Sequence, residues 1–157
     1  MIRPARADDI PAIHQMIGEL AAYERSLPQV SGTESDLCTA LLDAQPALFA
    51  HVAEEDGQAV GFALWFLSYS TWAGRHGIYL EDLYVKPERR GQGHGRALLA
   101  ELARICVERG YGRLDWSVLD WNSPARRFYE SLGAVSVDEW VIYRLTGPAL
   151  HALGGVD

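Results

Sequence analysis

The sequence predicts one α/β domain in which a mixed, mostly antiparallel central sheet carries helices on both faces. The chain has 157 residues, a length that suits one domain with a single sizeable core. Helical patterns come first, an antiparallel meander follows, and strands and helices alternate in the remainder. No repeat, low-complexity segment or linker divides the chain, so we expect a single domain over residues 1–157.

The N-terminal quarter predicts a short strand and two helices. Ile2–Arg6 is a candidate strand, and Asp8 or Asp9 is placed to cap a helix that continues to about Tyr23. Thr33, followed three residues later by an aspartate, forms the pattern of a capping box and predicts the start of a second helix. The apolar residues of the first helix recur at helical spacing: Ile10, Ile13, Ile17, Leu20 and Ala21.

Three strands are predicted in the middle of the chain. Ala47–Glu54 and Ala59–Leu67 are joined by an Asp-Gly turn, which is a strong hairpin signal. Ile78–Val85 is apolar except for Glu81 and Asp82. Because successive strand residues point to opposite faces, we expect these two carboxylates to share one face only if a bulge intervenes. Acidic residues of a strand are commonly just solvated, and that interpretation stays open for this pair.

The C-terminal half predicts two more helices and two more strands. One helix ends at Arg109 with Gly110 as its cap, and a strand follows from Leu114. Asn122 or Ser123 is placed to cap the next helix, for which Pro124 suits the first turn and Gly133 the end. The final predicted strand covers Trp140–Leu145. The first of these helices has one apolar face: Leu98, Leu102, Ile105 and Cys106.

Composition limits the partners and the location. The formal net charge is −7, which argues against a protein that coats nucleic acid, because such binding needs a basic face. Cys38 and Cys106 both fall in predicted helices, so we expect two buried thiols, and no Cys/His cluster has the spacing of a zinc site. We therefore expect no metal. The N-terminus has no apolar signal core and no apolar run could span a membrane, so we expect a cytoplasmic protein.

The segment Arg89–Arg96, RRGQGHGR, is called the glycine loop here. It lacks the pattern of a P-loop, and its fit to a dinucleotide fingerprint fails at Arg96, where a small residue is needed. Arg90, Gly93 and Gly95 match a third pattern, R-x-x-G-x-G/A, in which backbone N–H groups at a helix start face an anion. A flexible turn with solvated arginines produces the same letters. We expect His94 to point to solvent.

Seven segments of the chain together resemble the diamine acetyltransferases of the GNAT N-acetyltransferase superfamily. This family includes spermidine/spermine and thialysine N-epsilon-acetyltransferases. The joint match is far more specific than the glycine loop alone and covers nearly the whole chain. The segments are IRPA at 2–5, ELAAYE at 19–24, YSTW at 69–72, YLEDLYV at 79–85, RRGQGHG at 89–95, LDWN at 119–122 and FYESLGA at 128–134.

The resemblance implies the GNAT fold, a homodimer and acetyl-CoA as the acetyl donor. It implies that strand backbone groups contact the pantetheine arm, that the glycine loop binds the pyrophosphate and that Asn122–Ala125 line the other side. Asn122 has a helix cap as an alternative role. The implied cofactor-binding residues are Leu83, Tyr84, Val85, Arg90, Gly91, Gln92, Gly93, His94, Gly95, Arg96, Asn122, Ser123, Pro124 and Ala125.

The resemblance also implies the catalytic residues and the substrate contacts. Tyr129 matches the general acid that protonates the leaving thiolate, and Glu81 matches a candidate base. For Tyr129 the alternative is an ordinary aromatic residue of the core, and for Tyr23 and Glu24 it is an ordinary helix end. The implied substrate contacts are Tyr23, Glu24, Ser70, Thr71, Trp72, Glu81 and Asp82.

The segment Ser70–Gly74 narrows the resemblance to the thialysine branch. Polyamine acetyltransferases of this family carry an acidic residue where this chain has Ser70, so we expect a small amino-acid-like amine rather than spermidine. The segment before Trp140 departs from both branches, which leaves the roles of Asp138 and Glu139 open. A protein that binds acetyl-CoA for sensing, with little catalysis, is the alternative function.

Overall fold

The computed structural model describes residues 1–25 and 27–155, which divide into two compact units after Leu119. In the first unit the strands are β1 (Ile2–Pro4), β2 (Phe49–Glu55), β3 (Gln58–Ser70), β4 (Arg75–Val85) and β5 (Leu114–Trp116). Its helices are α1 (Ile10–Tyr23), α2 (Glu34–Leu41) and α3 (His94–Arg109). The second unit contains α4 (Ser123–Ser131) and α5 (Gly147–Leu153). None of the described helices is long and apolar enough to cross a membrane.

The sheet of the first unit has the order β1-β2-β3-β4-β5. Neighbouring strands are antiparallel, except that β5 runs parallel to β4. The turn between β2 and β3 places Asp56 at φ 52° and Gly57 at φ 77°, as the predicted Asp-Gly hairpin requires. The sequence-based prediction of a mixed, mostly antiparallel sheet is therefore confirmed.

A register shift interrupts the pairing of β3 with β4. Leu64 pairs with Asp82 and Trp65 pairs with Leu80, so Glu81 is an extra residue on β4. The parallel pairing of β4 with β5 ends at the same place, since its last pair joins Leu80 to Trp116. Beyond Leu80, β4 pairs with β3 alone, which leaves its other edge without a strand in the first unit.

Helices cover both faces of the sheet. Val52 of β2 belongs to the apolar cluster formed with Ile13 and Met16 of α1, whereas the adjacent His51 faces Glu101 of α3. The apolar face predicted for α3 is confirmed, because all four of its residues are buried: Leu98, Leu102, Ile105 and Cys106.

The two predicted N-terminal caps differ in outcome. The Thr33 capping box is present, with the Asp36 N–H donating to Oγ1 at 3.1 Å and the Asp36 carboxylate accepting from the Thr33 N–H at 2.9 Å. The Asp9 carboxylate makes no cap hydrogen bond to α1. It accepts instead from the Arg3 guanidinium, at 2.7 and 3.0 Å, so an ion pair to a residue six positions away competes successfully with the cap.

Two other sequence-based predictions are wrong. Trp140–Leu145 is not a strand, because no neighbouring segment of its unit offers a backbone to pair with, and its side chains are exposed. Cys38 is exposed, because the residue of α2 that faces the core is Leu37 and not Cys38. Cys106 is buried as expected.

Candidate active site

The glycine loop connects the end of β4 to the first residue of α3. Gly91 has φ 78° and Gly93, the N-cap of α3, has φ 87°, a region that side-chain-bearing residues rarely adopt. The backbone therefore turns sharply and begins a helix of 16 residues. Its first N–H groups and the positive end of its dipole form an anion-binding terminus.

Ion pairs from another strand hold the glycine loop in place. Glu55, the last residue of β2, accepts from Arg89 Nη1 and pairs with His94 Nε2, at 3.2 Å each. The expectation that His94 points to solvent is therefore wrong. Sequence reasoning missed Glu55, because a single carboxylate beside a hairpin turn carries no signal of a long-range partner.

The second arginine of the loop also has a structural partner. Arg90 donates from Nε to the carbonyl of Val85 at 2.8 Å, and its guanidinium lies 5.3 Å from the ring centroid of Tyr84. Burial and the neighbouring Glu19 carboxylate raise the pKa of the Tyr84 hydroxyl. Arg96 is exposed like Arg90 but, within the described part of the chain, forms neither a side-chain hydrogen bond nor an ion pair. Gln92 of the same loop is also exposed.

The edge of β4 that β5 leaves uncovered carries Leu83, Tyr84 and Val85. An extended ligand with amide groups can hydrogen-bond to the backbone of such an edge, as an added strand does. The edge continues directly into the glycine loop through Lys86 and a short 3-10 helix, Pro87–Arg89. One elongated ligand could therefore contact the strand edge at one end and the helix terminus at the other.

Three carboxylates gather at the bulge. Burial, together with the charges of Glu81 and Glu24, raises the pKa of Asp82 to about 6. Burial also raises the pKa of Glu24, which follows the last residue of α1, Tyr23. The extra residue at Glu81 breaks the alternation of β4, and its charge acts on the neighbouring carboxyl. This acidic cluster, Glu24, Glu81 and Asp82, is suited to a cationic ligand.

The hairpin tip at Ser70, Thr71 and Trp72 lies apart from the acidic cluster. Ser70 pairs with Arg75 at the far end of β4, so six residues, about 20 Å of strand, separate it from Glu81. The Ser70 hydroxyl accepts from the Ala73 N–H at 3.2 Å, and the Trp72 side chain is 92% exposed. The structure thus does not bring this tip together with the acidic cluster within one chain.

The remaining predicted site residues belong to the second unit. Asn122 caps α4 as predicted, accepting from the Ala125 N–H at 3.4 Å, and Ser123 and Pro124 form the first turn. Tyr129 is half-buried two turns further along the same helix. No group of three or more His, Cys, Asp or Glu residues suited to a metal ion occurs in the described ranges.

Comparisons with known proteins match this architecture. The sequence model of the Acetyltransferase (GNAT) family matches residues 16–134. The chain is 39% identical to thialysine N-epsilon-acetyltransferase of Bos taurus, over 99% of this chain and 97% of that protein. It is 30% identical to L-ornithine N5-acetyltransferase of Arabidopsis thaliana, over 97% of this chain and 86% of that protein.

A solved structure shares the fold. The integron cassette protein from the mobile metagenome of V. cholerae superposes with a TM-score of 0.80 and 27% identity, over 98% of this chain and 96% of that chain. The chain belongs to the GNAT acetyltransferase family. It is an N-acetyltransferase, and the resemblance to the thialysine branch is confirmed.

The raised pKa of Asp82 predicts a cost in stability. Above pH 6 the folded chain holds an ionised carboxylate that burial disfavours, and the cost disappears as protonation proceeds below that pH. Asp82→Asn should therefore increase the free energy of unfolding at pH 7.5 by at most about 3 kcal/mol, and at pH 4.5 by about 1 kcal/mol. Urea denaturation at the two pH values measures both. The exposed Asp43→Asn is the control and should change little. A gain that is larger at pH 4.5 than at pH 7.5 would contradict the assignment.

Proposed function

We propose that the protein transfers the acetyl group of acetyl-CoA to a primary amine of a small cationic molecule, by direct attack of the amine on the thioester. The observation that carries this proposal is the continuity of three features along β4. The acidic cluster lies at the bulge, the uncovered strand edge follows it, and the glycine loop completes the path at the start of α3. Amine, thioester and phosphate groups need these environments in this order.

The proposed cofactor contacts follow the chemistry of each part of acetyl-CoA. The amides of the pantetheine arm suit the backbone of Leu83, Tyr84 and Val85, although the carbonyl of Val85 already accepts from Arg90. The pyrophosphate suits the N–H groups of Gly91–Arg96, and the side chain of Arg96 adds a positive charge there. Asn122, Ser123, Pro124 and Ala125 are proposed to contact the same ligand from the start of α4.

The acidic cluster is proposed to bind the amine and remove its proton. An alkylammonium group has a pKa of about 10.4, so close to neutral pH only about one molecule in a thousand is a nucleophile. Asp82 and Glu24 attract the cation, with Tyr23 beside them, and Glu81 accepts the proton, directly or through a water. Because the pKa of Asp82 is about 6, its charge is present at neutral pH.

The transfer itself exchanges one bond for another. The nitrogen lone pair attacks the thioester carbon, the C–N bond forms, and the C–S bond breaks with its electrons on sulfur. The acylated nitrogen then loses its second proton as the neutral amide forms, which balances the proton given to sulfur. Tyr129 is proposed to donate its phenolic proton to that thiolate, where negative charge develops during the reaction. Its half-buried position on α4 is compatible with this role.

The relatives favour an amino-acid-like substrate. Thialysine and ornithine, the substrates in the names of two relatives, each carry a side-chain amine on an amino acid. We therefore propose a substrate of this class. The 20 Å of strand (about six residues) between the hairpin tip and the acidic cluster argues against one such molecule touching both within a chain. We propose that Ser70, Thr71 and Trp72 contact the substrate only in an assembly of more than one chain.

The homodimer, the single domain and the cytoplasmic location remain proposals. The exposed apolar segment Trp140–Tyr143, whose side chains are 70–92% exposed, supports the homodimer, because such a patch commonly marks an interface. The family match crosses the boundary at Leu119, which supports one domain over 1–157, although residues 26, 156 and 157 lie outside the described ranges.

The function is tested by thiol release from acetyl-CoA with a panel of amines: thialysine, lysine, ornithine, spermidine and putrescine. We expect release with the amino acids at a higher kcat/KM than with spermidine. A hundredfold excess of acetyl-CoA over its Kd should stabilise the fold by about 2.7 kcal/mol, and ATP or NAD at equal concentration by much less. Binding without release with any amine would favour a sensor. A preference for spermidine would overturn only the proposed substrate class.

Two substitutions distinguish the role of the proposed general acid, Tyr129, from that of the proposed base, Glu81. Tyr129→Phe keeps the ring and loses the donor, so acetyl-CoA affinity should change little while kcat falls roughly 10²–10⁴-fold. Glu81→Gln removes a charge beside the incoming cation, so KM should rise as well as kcat fall. Raising the pH should restore part of the activity of Glu81→Gln, because more amine is already neutral, and none of that of Tyr129→Phe.

The control for this pair is Tyr111→Phe, which alters a half-buried tyrosine outside the proposed active site and the proposed dimer interface. It should retain the kinetics of the unaltered enzyme. Near-normal kcat in Tyr129→Phe, with chemistry shown to be the slow step, would make Tyr129 a packing residue and assign the proton to water or another group.

The homodimer is tested by sedimentation velocity. We expect the unaltered protein to sediment as a dimer and Ile142→Glu to sediment as a monomer, since a charge in an apolar interface is costly to desolvate. Val107→Glu is the matched control, because Val107 is equally apolar and 81% exposed but lies on α3. An unaltered protein that is monomeric at micromolar concentration would contradict the proposal.

A further inference from the structure

A cavity of about 390 Å³ lies between the second half of α3 and the start of β2, away from the candidate active site. The residues that α3 contributes to it begin at Glu101, whereas the glycine loop meets the same helix at His94. The volume falls in the range of small-molecule sites. Neither the acetyl-CoA contacts nor the amine contacts proposed above include its lining.

The wall that the sheet contributes to this cavity is aromatic. The rings of Phe49 and Trp65 are stacked, with centroids 4.6 Å apart and planes 25° apart, and the His51 ring lies 6.0 Å from that of Trp65. Trp65 and His51 are buried, and Phe49 is half-buried. Flat rings pack well on such a surface, by offset stacking or edge-to-face contact.

The tautomer of His51 follows from its hydrogen bond. The indole Nε1 of Trp65 can only donate, and it lies 3.1 Å from Nδ1 of His51, so Nδ1 accepts and carries no proton. The neutral ring therefore carries its proton on Nε2. That atom lies 3.9 Å from Oε1 of Glu101, which is beyond hydrogen-bond distance. Burial lowers the pKa of His51, which also favours the neutral ring.

The charged groups of the cavity leave a second donor. Arg104 forms ion pairs with both Glu101 and Glu108, so its single positive charge bridges two carboxylates, and Arg109 brings the formal charge of these four lining residues to zero. Arg109 forms no ion pair with a carboxylate of the described residues, and its nearest polar partner is the Tyr111 hydroxyl at 3.5 Å. Two groups can still donate to a ligand: His51 Nε2–H, which has no hydrogen-bond acceptor among the described residues, and the Arg109 N–H groups that do not contact Tyr111.

We propose that this cavity binds a small aromatic carboxylate. Its ring packs against Phe49 and Trp65, and its carboxylate accepts hydrogen bonds from His51 Nε2 and Arg109. A cationic ligand fits less well, because Arg104 already pairs with both carboxylates and the positive charge of Arg109 would repel it. A purely apolar ligand would fill the cavity and leave the Nε2–H of His51 without an acceptor.

The probe for this site is indole-3-acetate, titrated by calorimetry into the full-length protein. We expect saturable one-to-one binding at millimolar or lower concentration. Arg109→Gln should weaken it about tenfold, the loss of one charge-assisted hydrogen bond at an exposed position. The exposed Arg75→Gln is the control and should bind as the unaltered protein does. Indole-3-acetamide, which lacks the charge, should bind more weakly. No saturable binding, or equal affinities for the two arginine variants, would overturn the proposal.

A second measurement locates the probe. The indole N–H resonance of Trp65, assigned by its loss in Trp65→Phe, should shift on titration, because the ligand contacts the histidine that accepts this proton. The shift should persist with saturating acetyl-CoA present. Displacement of the probe by acetyl-CoA, or a Trp65 resonance that does not move while binding is saturated, would assign the probe to another site and reject this one.

Discussion

The extra residue at Glu81 is the constraint on which the candidate active site depends. A regular β4 would continue its parallel pairing with β5 and would place successive side chains on opposite faces. With the bulge, the pairing ends at Leu80, an edge of backbone becomes available, and the charge of Glu81 acts on Asp82. One irregularity therefore supplies both the edge for an elongated ligand and the acidic cluster for a cation.

The acidic cluster shows why such a site is costly to the fold. Three carboxylates that lie near each other in a partly buried position destabilise the empty protein, and the raised pKa of Asp82 records that destabilisation. A cationic substrate relieves it on binding. Part of the binding free energy of the substrate therefore comes from relieving this destabilisation of the native state. Substitutions chosen for stability alone would remove the acidic cluster and with it that contribution.

Local chemistry explains which elements the sequence could predict. The Thr33 capping box, the Asp56-Gly57 hairpin and the positive-φ glycines of the loop depend on residues a few positions apart. The Asp9 ion pair with Arg3 is also short in sequence, yet it prevents the predicted cap, because the carboxylate bonds to the Arg3 guanidinium and the Arg6 N–H rather than to α1. The predicted final strand is absent for the opposite reason, since a run of strand-forming residues at Trp140–Leu145 cannot by itself supply a partner strand.

In the candidate active site, too, features set by nearby residues were predictable and features that depend on distant partners were not. The loop and the acidic residues were predictable by type, but the position of the bulge depends on the register of β3 and β4, over the ten residues of β3 that pair with β4. Glu55 illustrates the limit most clearly, because its two partners lie 34 and 39 residues away and nothing near it in sequence distinguishes it from a solvated carboxylate.

The partners of the loop residues assign different tasks to its three arginines. Arg89 is held by Glu55, and Arg90 is held by the Val85 carbonyl and the Tyr84 ring, so both order the loop before any ligand arrives. Arg96 has no such restraint and is exposed at the start of α3. A preordered backbone loses less conformational entropy on binding an anion. The charge that meets the phosphates therefore comes from the N–H groups of the helix terminus and from Arg96, whereas the other two arginines fix the geometry in which those groups point at the ligand.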